Sequence, residues 1–139
     1  MPPVSPSSIK TYLDCNRKWW WNKIMQVPGR DSPAAMLGTS LHQQLEDWLL
    51  EGTLPKSERI QAALKFFPTP DDVKGGKVLV EQWLRHEFEH TKFRGRADVI
   101  DIRDKENPII YDLKTTGNIA RALSVKKLKE DLQMNCYGY

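Results

Sequence analysis

The chain has 139 residues, long enough for one domain to bury a core without staples. Apolar residues make up 40% and charged residues 28%, an ordinary globular balance, and no apolar run approaches the length that crosses a bilayer. Lys and Arg number 21 against 18 Asp and Glu; an excess of +3 does not by itself mark a nucleic-acid partner. Two cysteines, Cys15 and Cys136, with no secretory signal before them, exclude a disulfide framework and make a cytoplasmic location the expectation.

Residues 2–6 carry three prolines and are expected to be irregular. Ser7 or Ser8 then caps a helix whose apolar positions are Ile9, Tyr12, Leu13, Trp20 and Ile24, ended by Pro28-Gly29. A second helix is predicted from Ala34 to Leu50, with Leu41, Leu45, Trp48 and Leu49 as its apolar stripe and Gly52 as its stop. A short helical stretch follows over 58–67, closed by Pro68-Thr69-Pro70. Strands are predicted over 78–83, 93–102 and 109–115, with Asn107-Pro108 as a turn. The final stretch, 122–139, reads as one helix capped by Ser124. This order predicts an α+β fold, an antiparallel meander flanked by helices. Of the five tryptophans, Trp20, Trp48 and Trp83 are expected in the core.

Four short patterns carry chemistry. In Ile110-Tyr111-Asp112-Leu113-Lys114, strand alternation puts Asp112 and Lys114 on one face, a carboxylate to hold a cation beside an ammonium to orient the attacking water. In Phe93-Arg94-Gly95-Arg96-Ala97-Asp98, Asp98 shares a face with Arg96 and Ile100. The Asn107-Pro108 turn can bring Asp98 beside Asp112, and two close carboxylates favour a hard divalent cation, magnesium or manganese. Asp101 has the opposite parity and is left out, as a solvated neighbour like Asp104. Gly38 and His42 lie one helical turn apart, as do Gln133 and Tyr137. Each pattern alone is commonplace: a surface ion pair, a polar strand face, a lone histidine, a helix surface.

Their succession is not commonplace. Gly-x-x-x-His, Gly-Arg-x-Asp, Asp-x-Lys and Gln-x-x-x-Tyr, in that order from Gly38 to Tyr137, resemble the RecB-like, CRISPR-associated exonuclease branch of the PD-(D/E)XK nucleases. Tyr12-Leu13-Asp14-Cys15-Asn16-Arg17-Lys18-Trp19 resembles the opening segment of that branch, with Asn16 in place of its proline. The resemblance implies a restriction-endonuclease-like core with a mixed sheet of three to four strands. It implies one nuclease domain over 1–139, made of an N-terminal helix and loop (1–33) and a core (34–139). It implies that His42, Asp98, Asp112 and the Leu113 carbonyl hold Mg2+ or Mn2+, that Lys114 is the catalytic lysine, and that Gln133 and Tyr137 support the site and contact DNA. Glu81 is a minor candidate beside the ligands.

The implied activity is hydrolysis of DNA at single-stranded or duplex ends, in recombination, repair or CRISPR and phage DNA processing. A helicase, recombination or CRISPR partner protein is expected, and no membrane. Arg17 and Arg96 are candidate DNA contacts, with Lys18, Lys23, Arg94, Lys126, Lys127 and Lys129 as further cations. Arg17, Lys18 and Lys23, interleaved with tryptophans, suit a single-strand channel. Some relatives hold an iron–sulfur cluster with four cysteines. Here Cys15 is the sole candidate ligand, so a cluster requires cysteines beyond Tyr139, and the chain reads as lacking the C-terminal part of the branch. Taken alone, Cys15 is expected to be a buried thiol. The competing readings are a catalytically silent DNA-binding module, a subunit active only within a helicase–nuclease assembly, and an unrelated α+β protein.

Overall fold

Ser5, rather than Ser7 or Ser8, begins the first helix of the computed structural model, which describes residues 3–30, 32–116, 120 and 122–137. The Ser5 hydroxyl accepts from the Ser8 N–H at 3.2 Å and the Ser5 N–H donates to Ser8 Oγ at 2.9 Å. This capping box, with Pro6 at the first helical position, fixes α1 as Pro6–Asp14. The preceding residues are not wholly irregular: Val4 forms a parallel bridge with Phe93. The expected long helix breaks at Cys15, whose extended backbone caps α1 and starts α2, Asn16–Lys23. Cys15 is exposed, correcting the expected buried thiol. Its sulfur accepts from the Lys18 N–H at 3.5 Å, a cap that an exposed position makes available.

α3 runs over Pro33–Glu51, one residue longer at each end than expected. Ser32 caps it, and Gly52 closes it at φ 75°, a left-handed conformation that favours glycine. α4 is Glu58–Ala63, followed by a 3-10 turn at Leu64–Phe66. Pro70, read as part of a closing turn, instead opens α5, Pro70–Lys74, because Thr69 and Asp72 form a second capping box.

Three strands follow in the order β1, β2, β3: Val78–Phe88, Thr91–Asp101 and Ile109–Tyr111. β1 extends five residues beyond expectation, to a tight turn at Glu89-His90. The sheet is antiparallel rather than mixed. β2 and β3 pair Val99 with Tyr111, Ile100 with Ile110 and Asp101 with Ile109. The last stretch is two short helices, α6 (Val125–Lys129) and α7 (Leu132–Tyr137), separated at Glu130-Asp131. Ser124 caps α6 as predicted; the expected helix end at Tyr139 lies outside the described residues.

The chain divides into two compact units. One comprises 1–30, 83–95 and 118–139; the other comprises 31–82 and 96–117. The second holds the hydrophobic core of Leu41, Leu45, Leu49, Ile60, Val78 and Val99, with Trp48 packed against it as expected. The 58–67 stretch supplies Ile60 to this core. Trp20 and Trp83, expected in the core, are exposed. Among the described residues, no helix is long and apolar enough to cross a membrane.

Asp101 is not the solvated neighbour expected. It is buried, and Arg103 Nη2 and Nε donate to its carboxylate at 2.6 and 3.0 Å, while Arg103 Nη1 reaches Asp72 at 3.1 Å. Asp101→Ala is expected to lower stability by about 1.5–3 kcal/mol, read as a shift in the urea midpoint. The guanidinium holds the Asp101 carboxyl below its ordinary value, against the opposing effect of burial. The pair's contribution is therefore full above the unfolded value, about 3.9, and fades as pH falls through the lower folded value.

Candidate active site

In the second unit, α3, β1, β2 and the segment after β3 place charged side chains together. On α3, the stripe of Leu41, Leu45 and Leu49 faces the core, which leaves His42 at its edge, half-buried. On β2, Ala97, Val99 and Asp101 are buried, and Arg96, Asp98 and Ile100 share the other parity. Asp98 Oδ1 lies 3.3 Å from His42 Nδ1. The hydrogen bond that the imidazole donates to Asp98 raises its pKa above the ordinary value. Burial opposes this shift, while the Asp98 charge, the Leu113 backbone and the Asp112 charge reinforce it.

Asp98 also explains why β3 is shorter than predicted. Its Oδ2 accepts the Leu113 N–H at 2.6 Å, so a side chain takes the place of the next ladder bond. Continuing the β2–β3 register by one residue would set the Asp112 backbone opposite Asp98. The ligand atoms that cluster are those of His42, Glu81 and Asp98, so the expected pairing of the Asp98 and Asp112 carboxylates on one cation stays a proposal. Asp112 and Lys114 thus lie just past the strand rather than on it. The Asp112 side chain is 3% exposed and Lys114 48%, and Lys114 Nζ stands 2.7 Å from Asp112 Oδ2. An ammonium reaching from solvent to a buried carboxylate is held in place by that charge. Gly38 lies against this segment: a Cβ there would meet Thr115 Oγ1 at 3.5 Å, an ordinary contact, so the approach is close without demanding glycine.

Glu81 is more central than the sequence suggested. It sits within β1 at φ 52°, a left-handed conformation that is strained for a residue with a Cβ. One ligand atom each from His42, Glu81 and Asp98 lies within 4.8 Å of the others. Glu81 pairs with Arg96, so Arg96 is engaged here by a carboxylate. Burial raises the Glu81 carboxyl above its ordinary range, with Asp98 and Glu46 charges adding and Arg96 opposing. Glu46 was not singled out from the sequence; its position one helical turn beyond His42 was the available signal. Oxygen donors from carboxylates plus one imidazole nitrogen fit a hard divalent cation, and the accumulated negative charge favours one.

In the first unit, Gln133 Nε2 donates to the Tyr137 hydroxyl at 3.2 Å, so this motif pair is joined. A Cβ on Gly95 would lie 2.5 Å from Tyr137 Cε1 and 3.4 Å from Phe93 Cζ. The glycine of Gly-Arg-x-Asp is therefore required by the tyrosine of Gln-x-x-x-Tyr. Gly95→Ala is expected to cost about 1–3 kcal/mol by overpacking, measured by urea unfolding. Tyr137→Ala should make that substitution nearly free, a coupling a double-mutant cycle would read. Arg17, Arg94, Lys126, Lys127 and Lys129 are exposed in this unit, and Arg94 stands over the Trp83 ring at 5.8 Å.

Comparison with known proteins adds one decisive observation. The sequence model of the PD-(D/E)XK nuclease superfamily matches residues 3–87 and 56–139. The chain belongs to the PD-(D/E)XK nuclease superfamily. Runs of the acid-x-lysine form in the superfamily's name occur at Asp72-Val73-Lys74 and at Asp112-Leu113-Lys114. No curated protein and no solved structure matches the chain significantly. Superfamily membership carries the expectation of phosphodiester hydrolysis with a divalent metal, and the His42, Glu81 and Asp98 cluster supplies donors suited to one.

Proposed function

We propose that this chain is a metal-dependent deoxyribonuclease of the RecB-like branch that degrades DNA from ends. The convergence of His42, Glu81 and Asp98 beside the Asp112–Lys114 pair carries the reading. Asp98 and Asp112, with His42 and the Leu113 carbonyl, are the proposed ligands, and Glu81 joins them on the strength of its place in the cluster. A divalent cation held there supplies Lewis-acid activation of water and stabilises charge on the phosphoryl oxygens.

The chain's own residues do the rest. Lys114, anchored by Asp112, orients the attacking water and offsets developing negative charge. Asp98 fixes the segment that carries Asp112 and Lys114 by accepting the Leu113 N–H. Arg96 neutralises Glu81 and is positioned to exchange that carboxylate for a phosphate. Gln133 and Tyr137 are assigned to the DNA backbone on motif order. Recombination, repair or CRISPR-linked DNA processing, with a helicase or similar partner, is the setting that the branch suggests.

End preference is tested with linear and circular single-stranded DNA of the same sequence in magnesium. The proposal expects linear strands to shorten progressively and circles to persist. Linearised circles would replace the exonuclease with an endonuclease. Failure to cut either substrate would reject the nuclease.

A further inference from the structure

Among the described residues, the aromatic side chains of α1 and α2 are not part of the core built on Leu41, Leu45 and Leu49. α2 contains three consecutive tryptophans and not one buried residue. Trp20 is 43% exposed and Trp21 42%, and Tyr12 on α1 is exposed as well. The rings stand edge to face in two pairs, Tyr12 against Trp19 at 5.5 Å and Trp20 against Trp21 at 5.1 Å. Tyr12, Asn16, Arg17, Trp19, Trp20 and Trp21 line an open groove of about 530 Å3. No acidic residue lines it, and α2 carries Arg17, Lys18 and Lys23 with no acid at all.

Exposed rings beside a cation can serve as a binding surface. Its charge selects the occupant. An apolar protein segment has no use for Arg17 in the groove or for Lys18 and Lys23 elsewhere on the same helix, whereas a single-stranded nucleic acid presents both flat unpaired bases and a chain of phosphates. A duplex offers only the phosphates, because its bases are stacked inside. Stacking on aromatic rings with cations along the backbone is the physics of sequence-tolerant single-strand binding.

We infer that the Tyr12–Trp21 groove is a single-stranded DNA subsite in which unpaired bases stack on Trp20 and Trp21 while Arg17 meets the phosphates. The choice of DNA rests on the nuclease reading; the choice of a single strand rests on the rings and charges of this unit alone. None of the groove's residues belongs to the His42, Glu81 and Asp98 cluster, and the subsite is assigned no part in bond breaking.

Fluorescence anisotropy of a short labelled oligothymidylate with the full chain, in EDTA so that nothing is cut, tests the inference. A strand of equal length without bases and a duplex serve as comparisons. The oligothymidylate should bind about tenfold tighter than the abasic strand. Trp20→Ala/Trp21→Ala should lose about tenfold on oligothymidylate and little on the abasic strand, while Trp20→Phe/Trp21→Phe keeps most of the affinity. Arg17→Ala should weaken both and lower the salt slope by about 0.7.

Equal affinity for the two strands, or an alanine variant that binds as wild type, overturns the subsite. So does self-association that the alanine variant abolishes without any change in oligonucleotide binding, which would give the groove to a second copy. The base-versus-abasic contrast in wild type decides even if the alanine variant fails to fold. Binding as predicted by a chain that never cuts in magnesium would leave the subsite standing and remove the nuclease; cutting without base-dependent binding would do the reverse.

Discussion

Asp98→Asn is expected to lower magnesium-dependent cleavage by about 10²–10³-fold while leaving the fold intact. Asp98 has two tasks that this substitution separates. Its Oδ2 accepts the Leu113 N–H at 2.6 Å, and an asparagine carbonyl oxygen can still do so. Its negative charge, shared with His42 at 3.3 Å and adjacent to Glu81, cannot be replaced by an amide. The cost in stability should stay within about 1 kcal/mol, whereas Asp98→Ala would leave that N–H without its acceptor and cost about 1–3 kcal/mol. Because the lost charge acts on cation affinity, raising magnesium should restore part of the Asp98→Asn rate. Thermal unfolding beside cleavage rates over a magnesium series checks both halves. A variant that cuts at the wild-type rate would remove Asp98 from the site.

Lys114→Ala is expected to lower kcat by about 10²-fold, with no rescue by magnesium. The ammonium stands 2.7 Å from Asp112 and is half exposed, so it can face both the buried carboxylate and a phosphate arriving from solvent. Its removal takes away an interaction that strengthens as charge develops in the transition state, which places the loss in kcat rather than KM. Lys114→Arg keeps the charge but changes the donor geometry, and should recover only part of the rate. If instead magnesium restores Lys114→Ala fully, the lysine acts through metal affinity and not on the reacting phosphate.

Much of this arrangement is legible in the sequence, and the failures have local causes. Leu41, Leu45 and Leu49 announce α3 by spacing, and Gly52 its end, because burial of one stripe and a left-handed cap leave direct marks. The antiparallel pairing of β2 with β3, which carries Asp98 and leads into Asp112, follows from the turn between them. Other features depend on side chain–backbone bonds that periodicity does not encode. Ser5 outcompetes Ser7 and Ser8 as a cap because Ser8 completes its capping box. Asp98 ends β3 early by capturing the Leu113 N–H.

Glu81 reaches the cluster from a left-handed position inside a strand, where alternation gives no warning. Trp20 and Trp83 look like core residues by hydrophobicity, yet neither belongs to the cluster built on Leu41, Leu45 and Leu49. Cys15 resembles a helix-interior residue until its extended backbone is seen.

The most direct test of the metal-dependent nuclease is cleavage of end-labelled DNA by repurified wild-type chain in magnesium, in manganese and in EDTA. Cutting in both metals, its absence in EDTA and its restoration when metal is returned are the predicted result. A folded chain that leaves DNA intact in both metals, or that cuts equally well in EDTA, would contradict it.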